Sequence, residues 1–231
     1  MQLFYSNQTS GNQAFLDAEE TRHCKVLRKN EGDTIQVING LGHLMDCKII
    51  HLKKDSAELE ILNEILYQRS RTYYFHLYIA PTKNNERIEW MLEKAIEAGL
   101  DEITFIETAH SEKNRINLSR LQKIAVSAMK QSGQYYLPLI NPMIRLAQVQ
   151  IDAQTLLAHC GPGMKKSLMD AVYPIKENSN ISILIGPEGD FSGAEVADML
   201  QKGASVISLG NSRLRTETAG LYCAIMLNGL S

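Results

Sequence analysis

Near residue 70 the hydrophobic rhythm of the chain changes, and this change constrains the fold more than any other feature. Before it, Thr34-Ile-Gln-Val-Ile38, the break at Asn39-Gly-Leu-Gly42, and the runs Leu44 to Leu52 and Ala57 to Ile61 predict strand, tight turn, strand and strand, as in a small β-barrel. After the polar stretch Gln68-Arg-Ser-Arg71 comes Tyr73-Tyr-Phe-His-Leu-Tyr-Ile-Ala80, a β-prone run with the composition of a buried strand. Strands then alternate with helices. A helix over 86–98 ends at Gly99, strands are predicted at 102–106, 155–159, 181–185 and 205–209, and a helix over Leu118 to Ser132 starts from Asn117 and stops near Gly133. Such alternation predicts an α/β fold with a mostly parallel sheet covered on both faces. The expected division is residues 1–70 and 71–231.

No apolar run approaches the roughly 20 residues that span a bilayer, and Met1 to Gly11 lacks the basic start and apolar centre of a signal peptide, so a cytoplasmic location is expected. Cys24, Cys47, Cys160 and Cys223 stand far apart without ligand spacing, which predicts that most are core residues and suggests neither a metal site nor disulfides. A net charge of −2 argues against holding nucleic acid by bulk electrostatics, yet it leaves room for local basic patches. One is expected on a helix over Asp17 to Leu27, where Arg22, Lys25 and Lys29 fall at i, i+3 and i+7. That stripe suits a solvated helix face or a contact with RNA phosphates.

Two segments carry the chemistry. Ile181-Ser-Ile-Leu-Ile185 runs into Gly186-Pro-Glu-Gly-Asp-Phe191, after which Ser192 and Glu195 form a capping box that opens a helix. A glycine loop at the carboxyl end of a strand lets the main chain approach a ligand. It is no familiar phosphate loop, because neither Gly-Lys-Ser/Thr nor GxGxxG spacing is present. The second segment, Leu209-Gly-Asn-Ser-Arg-Leu-Arg-Thr-Glu-Thr-Ala219, also follows a strand and precedes a helix, and crowds Arg213, Arg215 and Glu217 together. Loops at successive strand ends are expected side by side. The last helix, from Thr216 to about Leu230, is apolar enough to be buried in the core or against a second subunit.

Together these two segments resemble the RsmE family of 16S rRNA uridine-N3 methyltransferases. The resemblance extends to His23 through Arg28 with Gly32-Asp33, to Lys83 through Glu97-Ala-Gly-Leu100, and to Lys130-Gln-Ser132 before Pro138. One departure is Asp190, where the family carries the second glycine of G-P-E-G-G. The resemblance implies a PUA-like RNA-binding barrel followed by a SPOUT-type methyltransferase domain whose carboxyl-terminal chain forms a trefoil knot, an exception to the rule against threading.

It further implies S-adenosylmethionine as cofactor, held by three loops through His159, Gly161, Ile185, Gly186, Pro187, Glu188, Gly189, Ser208, Leu209, Gly210 and Leu214, with Leu209 and Leu214 against the adenine. No metal is implied. Arg215 is the expected stabiliser of charge on the uracil oxygens and Glu217 the nearest carboxylate to take the N3 proton. Arg22, Lys25, Arg28 and Lys29 are the expected RNA contacts, small-subunit rRNA the substrate, and a homodimer the assembly. A non-catalytic RNA-binding ribosome-assembly factor is the alternative, and a phosphate-binding α/β enzyme a more distant one.

Overall fold

The computed structural model describes residues 2–69, 71–152, 154–161, 163, 165–174 and 179–229. The chain divides into two compact units, 1–69 with 126–137, and 70–125 with 138–231.

In the first unit, β1 (Leu3–Tyr5), β2 (Gln8–Ser10), β3 (Gln13–Leu16), β4 (Thr34–Ile38), β5 (His43–Leu52) and β6 (Ala57–Leu66) form one sheet in the order β1-β4-β5-β6-β3-β2. All pairings are antiparallel except β1 with β4. Alternation places Val37, Met45, Ile49 and Leu59 in a core with Phe4 and Cys24. Residues 126–137 join this unit: Met129 packs with Leu3, Ile38 and Leu44, and Tyr135 stacks on Tyr67 at 4.1 Å.

Helix α1 (Ala18–Val26) is capped by Asp17, whose carboxylate accepts from the amides of Glu19 and Glu20. It covers the expected span, Asp17 to Leu27, to within a residue at either end. Arg28 adopts φ 56°, its amide donates to Lys25 O, and the Lys29 amide donates to Cys24 O. These are the two reversed bonds of a Schellman stop, with arginine where glycine is usual. Lys29 therefore lies beyond the helix, and the expected helical stripe reduces to Arg22 and Lys25. Arg22, Lys25 and Arg28 are exposed, Lys29 is half-buried, and the Lys25 ammonium donates to Lys54 O at 2.9 Å.

The second unit is built on β7 (Tyr74–Ile79), β8 (Glu102–Glu107), β9 (Leu139–Arg145), β10 (Thr155–Ala158), β11 (Lys166–Ser167), β12 (Asn180–Ile185) and β13 (Ser205–Ser208). They form a wholly parallel sheet in the order β11-β13-β10-β12-β7-β8-β9. Helices α2 (Asn85–Glu97) and α6 (Thr216–Asn228) pack on each other, and α6 also lies against β7 and β12. At Gly220 a Cβ would stand 2.9 Å from Ile79 Cδ1, so glycine permits that close approach. On the opposite face Tyr78, Leu157 and Leu184 pack with Phe191 and with Met199 of α5 (Gly193–Gln201). Helix α3 (Leu118–Ser132) and the short α4 (Leu168–Val172) complete the elements. The last helix ends at Asn228; Leu230, where the sequence places its end, lies outside the described residues. Among the described residues no helix is long and apolar enough to cross a membrane.

Candidate active site

Strands β13, β10 and β12 are neighbours and parallel, so the loops leaving their carboxyl ends open on one edge of the sheet. Those loops line a cavity of about 770 Å³. The first loop supplies His159, Cys160 and Gly161, the second Gly186, Pro187, Glu188 and Asp190, and the third Leu209 through Arg215.

Three side chains tie the loops together. Thr216, buried at the start of α6, donates through Oγ1 to Gly186 O at 3.0 Å. Arg213 Nη2 donates to Glu188 O at 3.2 Å. Asp190 joins the first loop to the second: Oδ2 accepts from the Cys160 amide at 2.9 Å and Oδ1 from the Phe191 amide at 2.8 Å. His159 Nδ1 lies 2.9 Å from the same Oδ2. Asp190 holds φ 61°, a left-handed conformation that glycine adopts without strain. Burial pushes its carboxyl pKa upward, yet the hydrogen bonds from Cys160, His159 and Phe191 outweigh this and hold it below the usual value of 3.8.

The glycines leave main chain open where side chains would collide. A Cβ at Gly161 would sit 2.1 Å from His159 Nε2, and one at Gly186 would sit 3.1 Å from the Phe191 ring. At the mouth of the second loop, Ser192 and Glu195 form the expected capping box: the Ser192 amide donates to Glu195 Oε2 at 2.8 Å and the Glu195 amide to Ser192 Oγ at 3.3 Å. The other oxygen of Glu195 accepts from the Ala109 amide at 2.7 Å, which anchors the helix start to the β8 end of the sheet.

Of the residues expected around a cofactor, His159, Gly161, Ile185, Gly186, Pro187, Glu188, Ser208, Leu209, Gly210 and Leu214 line the cavity. Gly189 does not; it faces His110, whose Cβ would lie 3.1 Å from an added Cβ and whose Nδ1 is 3.1 Å from Gly189 O. Arg215 lines the cavity and also an adjoining recess of about 620 Å³, where Glu217 meets Arg87 and Trp90 from α2. The buried Glu217 carboxylate lies 3.8 Å from Arg87 Nε. Arg22, Lys25, Arg28 and Lys29 belong to the first unit.

Sequence reasoning missed the clasp at Asp190, the cavity-lining Lys165, whose Nζ donates to His159 O at 2.6 Å, and Trp90 in the recess. Only Asp190 carried a signal, a carboxylate in a glycine-rich turn; its partner amide is 30 residues away in the chain. Cys160 is exposed, whereas Cys24, Cys47 and Cys223 are buried as expected of core residues. Among the described residues no cluster of three metal-ligating side chains occurs.

Comparison with known proteins converges on one family. The RNA methyltransferase domain matches residues 69–228, and the RNA methyltransferase PUA domain matches residues 16–62. A solved structure described as a "probable rRNA-methyltransferase" from Porphyromonas gingivalis is 37% identical, covers 100% of this chain and 98% of its own, and superposes with a TM-score of 0.90. The ribosomal RNA small subunit methyltransferase E of Neisseria gonorrhoeae, solved bound to S-adenosyl methionine, is 25% identical, with 100% and 98% coverage and a TM-score of 0.82. The protein of that name in Bacillus subtilis is 28% identical over 225 residues, covering 90% of this chain and 86% of the relative. With a PUA domain ahead of a parallel α/β domain whose strand-end loops enclose one cavity, the chain belongs to the RNA methyltransferase family.

Proposed function

We propose that this protein methylates N3 of a uridine in 16S ribosomal RNA, using S-adenosylmethionine held in the three-loop cavity. The observation that carries this reading is the convergence of the β10, β12 and β13 loops on about 770 Å³ of space in a chain of this family. That volume falls in the range of sites for nucleoside-sized ligands. The loops suit the cofactor: Gly161 and Gly186 expose main chain where a Cβ would collide, and Leu209 and Leu214 offer apolar surface for an adenine. When bound, the cofactor supplies an electrophilic methyl group.

The protein's own residues do the rest. Uridine N3 carries a proton at neutral pH, so the base must lose it before or during attack. Arg215, exposed at the N-cap of α6 and shared by cavity and recess, stabilises negative charge spreading onto the uracil oxygens. Glu217, two residues further on and buried, accepts the proton. The loop ties made by Asp190, Thr216 and Arg213 fix the cavity before the reactants meet, and held geometry is where much of the rate arises. Arg22, Lys25, Arg28 and Lys29 contact RNA phosphates from the barrel-like domain of residues 1–70, and residues 71–231 form the SPOUT domain.

We further infer a knotted carboxyl-terminal chain, a cytoplasmic location and a homodimer. The pairing of β13, last in the chain, with β10 rather than β12 favours the knot. Ile225, 54% exposed on an otherwise apolar α6, favours a partner subunit on that helix.

Calorimetry with S-adenosylmethionine and mass-spectrometric mapping of rRNA from cells with and without the gene test the reading. Binding, together with N3-methyluridine that disappears with the gene, is expected; unchanged N3-methyluridine defeats the substrate assignment, and absence of binding favours an assembly factor. Arg215→Ala should lower kcat by about 100-fold or more with cofactor affinity nearly unchanged. Equal loss of both would remove its proposed role.

A further inference from the structure

The recess beside the cofactor cavity has a composition that the reading above does not yet use. Arg87 and Trp90 stand one turn apart on α2 and share a face, and across from them lie Arg215 and Glu217 at the start of α6. The recess and the cavity share Arg213, Leu214 and Arg215 as a common wall. Trp90 is 46% exposed, which leaves ring surface open to a ligand. Glu217 is 6% exposed, yet its acceptor capacity is unspent: Oε1 is 3.8 Å from Arg87 Nε, too long for a hydrogen bond, and the buried Oε2 has no donor among the described residues.

We propose that this recess seats the extruded target base, a uracil stacked on Trp90 and read along its pairing edge by Arg87, Glu217 and Arg215. The inference rests on the uridine methyltransferase reading and adds the base subsite to it. Uracil presents O2, N3–H and O4 along that edge, acceptor, donor and acceptor in turn. The two guanidiniums are donors only and the carboxylate oxygens accept, so the recess supplies two donors and an acceptor for the acceptor, donor, acceptor edge of uracil. Cytosine presents an unprotonated N3 to the carboxylate and an amino group to an arginine, two mismatched contacts in place of two matched ones. The indole face supplies sequence-tolerant stacking, and the flanking edge contacts supply the choice of base.

Trp90 is the chain's single tryptophan, so its fluorescence reports on this recess alone. The test titrates the full-length wild-type protein, with S-adenosylhomocysteine present, with single-stranded oligocytidine RNA carrying one central uridine, and with the all-cytidine strand. Quenching by the uridine strand at several-fold lower concentration than by the all-cytidine strand is expected. Trp90→Ala should weaken RNA binding, read by anisotropy of a labelled strand, by roughly 5- to 150-fold, and Trp90→Phe should recover most of it. Both variants should bind S-adenosylmethionine within about twofold of wild type by calorimetry. Equal response to both strands, or a Trp90 shielded from acrylamide and unmoved by RNA, overturns the proposal while cofactor binding and methylation stand. A wild-type protein that neither binds S-adenosylmethionine nor methylates rRNA overturns the parent reading and this one with it.

Discussion

Replacing Asp190 separates two effects that the structure superimposes at one residue. The backbone there is left-handed, which costs a residue with a Cβ about 1 kcal/mol relative to glycine. Against this, the carboxylate accepts from two main-chain amides, Cys160 and Phe191, and pairs with His159. Charge-assisted bonds of this kind are worth about 1.5–3 kcal/mol when buried. The side chain is 20% exposed and Cys160 sits at the surface, so about 1 kcal/mol for each amide is the working figure. Asp190→Ala keeps the strain and loses the bonds, for a cost of about 2 kcal/mol. Asp190→Gly loses the bonds and releases the strain, for a cost of about 1 kcal/mol. The order wild type, glycine, alanine should appear in urea midpoints at pH 7, with slopes compared to confirm that the same transition is followed. Freed from the clasp, the 159–161 loop should weaken S-adenosylmethionine binding by about five- to tenfold in both variants. Because the Asp190 carboxyl is held below 3.8, its contribution is fully present above that pH and is lost as pH falls through the lowered value. The gap between wild type and Asp190→Asn should therefore persist from pH 8 to pH 5. An alanine variant as stable as the glycine variant, or unchanged cofactor affinity in both, would refute the reasoning.

Cys160, exposed at the cavity wall, should be the site of alkylation by iodoacetamide in the native protein, and S-adenosylmethionine should slow that reaction; peptide mass spectrometry locates the label. Burial pushes the Cys24 and Cys47 thiols up to about 11 and about 12 and raises Cys223 as well, so labelling of those three before unfolding contradicts the packing. Burial lowers the His76 pKa from 6.5 to about 4 despite the opposing pull of Glu102, and His76 Nε2 is 2.7 Å from Thr104 Oγ1. The unfolded chain then takes up the proton first, so stability should fall as pH drops from 6.5 towards 4, by at most roughly 1.4 kcal/mol per unit; a His76→Gln protein with the same slope would exclude this residue as its source. Arg28→Gly should stabilise the first unit by about 0.5–1 kcal/mol through its left-handed backbone. It should also reduce the slope of log K against log salt for RNA by about 0.7–0.9 if the guanidinium meets a phosphate; an unchanged slope removes Arg28 from the RNA surface.

What the sequence determined by itself is whatever local chemistry dictates. Alternation in Thr34–Ile38, the β-rich run before Ala80, the capping pair Ser192 and Glu195 and the glycines after Ile185 each act within a few residues, and each appears in the structure as read. Short or interrupted elements escaped. β1, β2 and β11 are two or three residues long, too few to show a period, and β9 contains Pro142, which reads as a break but is tolerated because β9 is an edge strand. The stop of α1 at a left-handed arginine, which takes Lys29 off the helix, could not be inferred from residue spacing. Tertiary structure alone decided that β13 lies beside β10 and β10 beside β12, and hence that three loops spread over residues 159–215 line one cavity. It also decided that Met129 and Tyr135 belong with the first unit and that the Asp190 carboxylate reaches the amide of Cys160. The physical reason is the range of the forces involved: propensity and capping act over one helical turn, whereas strand order and loop closure depend on which apolar faces are buried together across the whole sheet.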